Sequence, residues 1–255
     1  MTMRKLMTIA LLCSALMSQA TVLDSTTIVI DTSATDKVGP KVGKMNLDVF
    51  LFSRYAWRGV QFGSGPSVQA QISYTKGGFI AACYVAKSIN GGNTGYPNTS
   101  NIMLGYQYKG ISLFVDDYYF YDDNLDRYFD WSDTTLHYTE IRLKYDHARF
   151  YGMGGYNVYA AKGANKALYI EAGYKVPEHG LTFFAGYLFD TSDLNFSTTA
   201  GLTNIGVTKL KELRFNDKFA LPVFGTLMAN PNYKNMVDTP GVGRNALTLV
   251  IGTFL

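Results

Sequence analysis

Side-chain chemistry in this chain would have to start from three histidines, His137, His147 and His179. Nucleophilic catalysis needs a nucleophile, a base and an orienting group within hydrogen-bond reach. His137 opens the run HYTEIRLKY, three residues before Glu140. On a helix that spacing shares a face; on a strand it gives opposite faces. The run alternates as a strand does, so no zinc site is expected from the pair. Residue 139 is Thr, so no Ser stands at i+2 from His137. GPKVGK at 39–44 misses the phosphate-loop glycine spacing by one residue, and Met45 stands where Ser or Thr would hold magnesium. GMGG at 152–155 sits in a strand pattern with no following helix, which rules out a dinucleotide turn. Asp122, Asp123, Asp126, Asp130 and Asp133 cluster in one loop without EF-hand spacing. We read them as a solvated surface loop, with calcium bridging to anionic surface groups as a minor role. Neither a cofactor nor a resident metal is expected.

The elements that carry these residues are strands. In SVQAQISY (67–74), Val68, Ala70, Ile72 and Tyr74 take one parity, and Ser67, Gln69, Gln71 and Ser73 the other. Such alternation is a strand with one apolar and one polar face. Twelve segments of this kind recur, near 45–57, 67–75, 78–87, 101–109, 111–121, 136–145, 148–157, 167–176, 181–189, 203–213, 220–229 and 246–255. Each approaches the roughly 9–11 residues that cross a bilayer when tilted. Their connections alternate between long (RGVQFGSGP, SINGGNTGYPNTS, DDNLDRYFDWSDTT) and short (TKG, Gly110, Asp146-His147, PEHG, FNDK).

Composition agrees with an exported β protein. MTMRKLMTIALLCSALMSQA has a basic start, a short apolar run and small residues at 18 and 20, the plan of a secretory signal peptide. A lipoprotein anchor at Cys13 would want a small residue where Leu12 stands. Residues 21–44, rich in Ser, Thr, Asp, Lys and Gly, read as a flexible periplasmic leader. Beyond residue 20 there remain 21 Lys and Arg against 20 Asp and Glu, a balance of +1 that offers no electrostatic argument for nucleic acid. One Cys is left there, Cys83, so packing or sheet closure must replace disulfides. Charged residues are 17% and aromatics 15%, the latter suited to membrane-interface girdles.

Long loops at one end and tight turns at the other are the plan of an outer-membrane barrel. Greek-key sandwiches break that regularity, and soluble up-and-down barrels typically have eight strands. The expectation is therefore an all-β protein, an antiparallel up-and-down transmembrane β-barrel over 45–255 in the bacterial outer membrane. It has about twelve strands, with ten or fourteen as alternatives. A charge facing lipid at the midplane costs about 2–4 kcal/mol, so charged parities are placed inward. That gives the lumen-lining candidates Asp48, Arg54, Arg58, Gln69, Gln71, Asp116, Glu140, Arg142, Lys144, Glu171 and Lys175. Strands seven, ten and eleven leave their facing open, and Lys209 and Lys211 are expected to flank the membrane and snorkel. The final run ALTLVIGTFL alternates Leu247, Leu249, Ile251 and Leu255 outward, with Phe254 penultimate where assembly machinery commonly reads a terminal aromatic.

SRYAWRGVQFGSGPSVQAQISY resembles the opening of an uncharacterised family of bacterial outer-membrane barrels. Its members begin with a Ser-x-Tyr-x-x-Arg-Gly hairpin and a Pro-x-x-Gln strand, matched here by Ser53, Tyr55, Arg58, Gly59, Pro66 and Gln69. DDYYFYDD (116–123) and GVTKLKELRFNDKFALPVFGTLMANP (206–231) are similar to later segments of its Bacteroidota members. The resemblance implies the architecture and carries over no catalytic residue. The expected function is a non-enzymatic, porin-like passive pore for small hydrophilic solutes. The alternatives are a plugged structural or surface-binding barrel and, less favoured, an outer-membrane lipid hydrolase centred on His137. Expected partners are outer-membrane lipids, lipopolysaccharide and the barrel-assembly machinery, with no nucleic acid.

Overall fold

The computed structural model describes residues 42–89, 98–121, 127–217, 219–238 and 241–254. The signal-peptide reading, and the leader up to residue 41, lie outside these residues, as do Asp122, Asp123, Asp126 and Leu255.

Alternating sequence becomes alternating exposure. Val68, Ile72, Ile102, Leu104, Leu113, Val115, Ile141, Leu143 and Ile170 are exposed, while Gln69, Gln71, Ser73, Asp116, Glu140 and Arg142 are buried. The strands close on themselves, so the buried parity faces the barrel axis. In chain order they are β1 (Lys44–Phe52), β2 (Tyr55–Trp57), β3 (Val60–Phe62), β4 (Ser67–Lys76), β5 (Phe79–Ser88), β6 (Asn98–Tyr108), β7 (Ile111–Tyr121), β8 (His137–Asp146), β9 (Phe150–Tyr159), β10 (Leu168–Val176), β11 (Leu181–Leu188), β12 (Gly201–Asn216), β13 (Phe219–Ala229), β14 (Val242–Gly243) and β15 (Leu247–Phe254). Twelve of them form one closed antiparallel barrel in sequence order, sealed where β15 meets β1; β2, β3 and β14 form a separate small sheet. No helix among the described residues is long and apolar enough to cross a membrane, which says nothing against crossing with strands.

Short connections are tight for a physical reason. Between β6 and β7 stand Lys109 (φ 47°) and Gly110 (φ 79°), the paired positive φ values of a two-residue hairpin turn. The open facings are now set, β13 burying Phe224 and Met228 inside and exposing Leu227. In β9, Tyr151, Met153 and Asn157 are buried inside while Phe150, Tyr156 and Val158 are exposed. In β12, Ile205, Lys209 and Leu213 share the exposed parity, and Lys209 donates to the carbonyl of His179 in the short 177–180 turn. β12 and β13 run on past that rim as a hairpin. Exposed aromatics gather near the short-turn rim: Phe79, Tyr106, Tyr108, Tyr145, Phe150 and Tyr174.

One expectation fails in the first strand. The alternating run was expected to stay in the wall through 57. The wall strand stops at Phe52, and residues 55–62 turn inward as the β2–β3 hairpin. Its tip is Arg58-Gly59, again with both φ positive (48° and 86°). Tyr55, Trp57, Val60 and Phe62 are at most 1% exposed, so every side of the hairpin is packed. Inward alternation looks the same whether a strand lines a wall or fills the space behind it, and that identity caused the misplacement.

The filled barrel mouth

The hairpin lies in the loop end of the barrel and builds the main hydrophobic core there. Phe62 stacks against Tyr55 at 4.9 Å and Phe120 at 5.8 Å, and Phe196 meets it edge-on at 5.5 Å. Trp57 packs on Tyr118 at 5.3 Å. Leu194, Phe196, Met236 and Val242, from the loops after β11 and β13, join the same cluster. β14 pairs with β3, Val242 opposite Phe62, which ties the last long loop to the first. Three long connections thus meet inside the mouth rather than standing above it.

At the hairpin tip, Arg58 forms a two-pronged ion pair with Glu140 of β8, both Nη–Oε distances being 2.8 Å. Both side chains are 1% exposed. The planar guanidinium also lies over Trp57 at 4.6 Å and Tyr169 at 4.2 Å, and its Nη1 donates to Asn195 at 3.4 Å. A buried charge needs such a partner set to offset desolvation. Two glycines leave the room for it. A Cβ at Gly59 would lie 1.9 Å from the Thr203 carbonyl oxygen, and one at Gly155 would lie 2.5 Å from the Glu140 carboxyl carbon. Asn230 Nδ2 donates to the Gly59 carbonyl at 3.1 Å and fixes the tip from the far side.

Beneath this tier the charges pair again along β8. Arg142 donates to Asp116 through Nε (2.8 Å) and Nη2 (3.1 Å). Lower still, Asp146 takes Lys175, and Lys144 at 3.4 Å. Glu171 accepts from Tyr169 (2.6 Å), Tyr151 (2.8 Å) and Asn204 (2.8 Å). Gln69 accepts from Tyr84 at 2.6 Å, Gln71 is buried, and Asp48 faces inward opposite Gln71, half-buried. Thr75, Ser112, Lys175, Thr182 and Thr208, toward the short-turn end, are 1–8% exposed, so that half is filled as well. Of the eleven residues nominated from sequence, all but Arg54 and Arg58 sit on inward wall positions. Arg58 comes from the hairpin. Arg54 is exposed at the outer lip, where its Nη1 donates to Gln61 at 3.3 Å. Asp146, Tyr118, Asn195 and Asn204 were missed. Asp146 reads in sequence as a turn residue, and Asn195 lies in a loop whose course nothing local dictates.

His137 stands outside this interior. It faces outward from β8 beside Asp117 and Tyr119 of β7, and loop 127–136 folds back over it. Its Nδ1 lies 2.8 Å from Asp117 Oδ2, its Nε2 lies 2.5 Å from the Tyr128 carbonyl oxygen, and Trp131 stacks on the ring at 3.9 Å. Both nitrogens are engaged and the ring is fully buried. Glu140 points to the other side of the wall, as strand geometry requires. In loop 127–136, Asp130 is committed to Arg127 and Ser132, and Asp133 to Lys162. No cluster of metal-ligating side chains occurs among the described residues.

No family model and no curated protein matches the chain. Among solved structures it is similar to a triple mutant of the Rhodopseudomonas blastica porin, at 11% identity and TM-score 0.36, over 84% of this chain and 100% of that one. A second mutant of the same porin gives 10% identity and TM-score 0.36 over the same shares. A structure described as "Asymmetric conductivity of engineered proteins" gives 11% identity and TM-score 0.32, again over 84% and 100%. Likeness at this level carries no argument about activity.

Proposed function

We propose that this chain is an outer-membrane β-barrel whose lumen is closed at rest by its own first hairpin. Two features support the membrane reading. The wall turns a belt of exposed Ile, Leu and Val outward, and the charges on the inward parity of β7, β8 and β10 are buried with partners. Water would penalise that belt, and hydrocarbon would penalise the reverse arrangement. The observation that carries the closed state is the bidentate Arg58–Glu140 pair, which locks an aromatic wedge across the mouth.

A passive pore for small hydrophilic solutes then requires the hairpin to withdraw and the ion-paired tiers beneath it to part. The route it would open is lined by Gln69, Gln71, Asp116, Arg142 and Glu171. Planar-bilayer recording tests this. The intact chain is expected to be silent or to open rarely, and a variant with residues 55–62 replaced by a Gly-Ser linker, which leaves only the paired lower tiers in the way, is expected to open many times more often. Steady conductance by the intact chain would overturn the closed state. Silence of both would leave the barrel a structural or surface-binding one.

A further inference from the structure

The wall is unevenly sewn. Neighbouring wall strands pair over seven to eleven residues everywhere except at closure. There β1 and β15 share three pairs, Phe50–Phe254, Leu51–Thr253 and Phe52–Gly252. Ser53 adds a last stitch: its N–H donates to the Ile251 carbonyl at 2.7 Å, and its Oγ accepts from the Ile251 N–H at 2.9 Å. Beyond Ser53 the chain dives inward as the plug. The loop-end half of β15, Leu247 to Val250, is paired to β13 on one side and, among the described residues, has no strand pairing on the other. The plug accounts for the loop-end part of this seam, because the residues that would have completed β1 there are spent on the hairpin.

A cleft of about 320 Å³ lies at the seam, lined by Ser53, Arg54, Leu247, Thr248, Leu249 and Ile251. Leu247, Leu249 and Ile251 are at least half exposed on its outward side. Arg54 stands at its lip, and among the described residues it has no carboxylate partner. An open strand edge in hydrocarbon must have its backbone groups satisfied, and a guanidinium whose one side-chain bond among the described residues is to the neutral Gln61, beside an apolar groove, favours a phosphate at the headgroup level.

We propose that the seam is a lateral site for an anionic lipid of the outer leaflet. One acyl chain lies along Leu247, Leu249 and Ile251, the phosphate bonds Arg54, and polar headgroup or linkage atoms meet the free edge of β15. This rests on the membrane reading above. The probes are phosphatidylglycerol and phosphatidylcholine, and the measurement is native mass spectrometry of the full chain released from bilayers containing both. The intact chain is expected to retain phosphatidylglycerol preferentially. Arg54→Gln is expected to lower that preference about fivefold or more, the scale of a lost charge-assisted bond. Leu249→Trp, which fills the cleft, is expected to lower retention of both lipids. Arg127→Gln, in a distant loop, serves as control and should leave retention unchanged. Heat-modifiable gel mobility checks that each variant is folded. Equal retention of the two lipids by the intact chain, or an unaltered preference in folded Arg54→Gln, would overturn the site. Failure of the membrane reading shows separately, as a folded chain that stays dispersed in buffer without detergent and does not enter bilayers.

Discussion

At the residue scale the interior is governed by the cost of leaving one charge behind. Arg58 and Glu140 are both almost wholly buried, so removing one partner strands the other in a dry site. Glu140→Gln is expected to destabilise the folded barrel by about 3–5 kcal/mol, read from its urea midpoint. The double variant Arg58→Met with Glu140→Leu should recover most of that loss, because paired apolar replacement avoids the stranded charge. Equal loss in single and double variants would show that the pair is not coupled as its geometry implies. Gly59→Ala acts by a different route: its Cβ meets the Thr203 carbonyl, and the backbone conformation disfavours a side chain. The tip must back away, so this variant is expected to open in planar bilayers more often than the intact chain while keeping its strand content by circular dichroism.

At the element scale β4 offers the direct comparison of faces. Ile72→Arg puts a charge into the outward belt, at about 2–4 kcal/mol near the midplane. Gln71→Arg puts one into a filled interior, where overpacking costs about 1–3 kcal/mol. Both should weaken the barrel, and only Ile72→Arg should block insertion into vesicles; the opposite order would invert the facing. Loop 127–136 gives a pH-dependent prediction. Hydrogen bonds from Ser132 and then Arg127 hold the Asp130 carboxyl well below the usual carboxylate range. Because the native value is depressed, its contribution is complete above the unfolded value of about 3.9 and is lost as pH falls through the native one. Fluorescence of Trp131, stacked on His137 beneath this loop, tracks the change in a variant where Trp57 is Phe. The Asp130 contribution to its emission should be flat from neutral pH to about 4 and move only below that. Asp130→Asn should remove this acid-range step and no other.

At the scale of the whole molecule, most of the architecture was legible in the chain. Period-two alternation marks each wall strand, and the alternation of long with short connections orders them into an up-and-down closure. Both signals are local and repeated, so tertiary context has little room to override them. The sequence alone therefore determined a twelve-strand barrel with Ile72 outward and Gln71 inward, and it brought the charges of β8 and β10 to one side of the wall. It did not determine what fills the space enclosed. Tyr55-Ala56-Trp57 continues the pattern of β1, and the only local sign of departure was Arg58-Gly59, a pair suited to a two-residue turn. Whether that turn stands above the rim or folds inside depends on Glu140, Tyr169, Asn195 and Phe196, which lie far along the chain and meet it only after closure. The tertiary structure alone decided that the mouth is filled and that β15, among the described residues, keeps an open edge. Burial and pairing are set by which distant residues share a space, and no window of sequence holds that information.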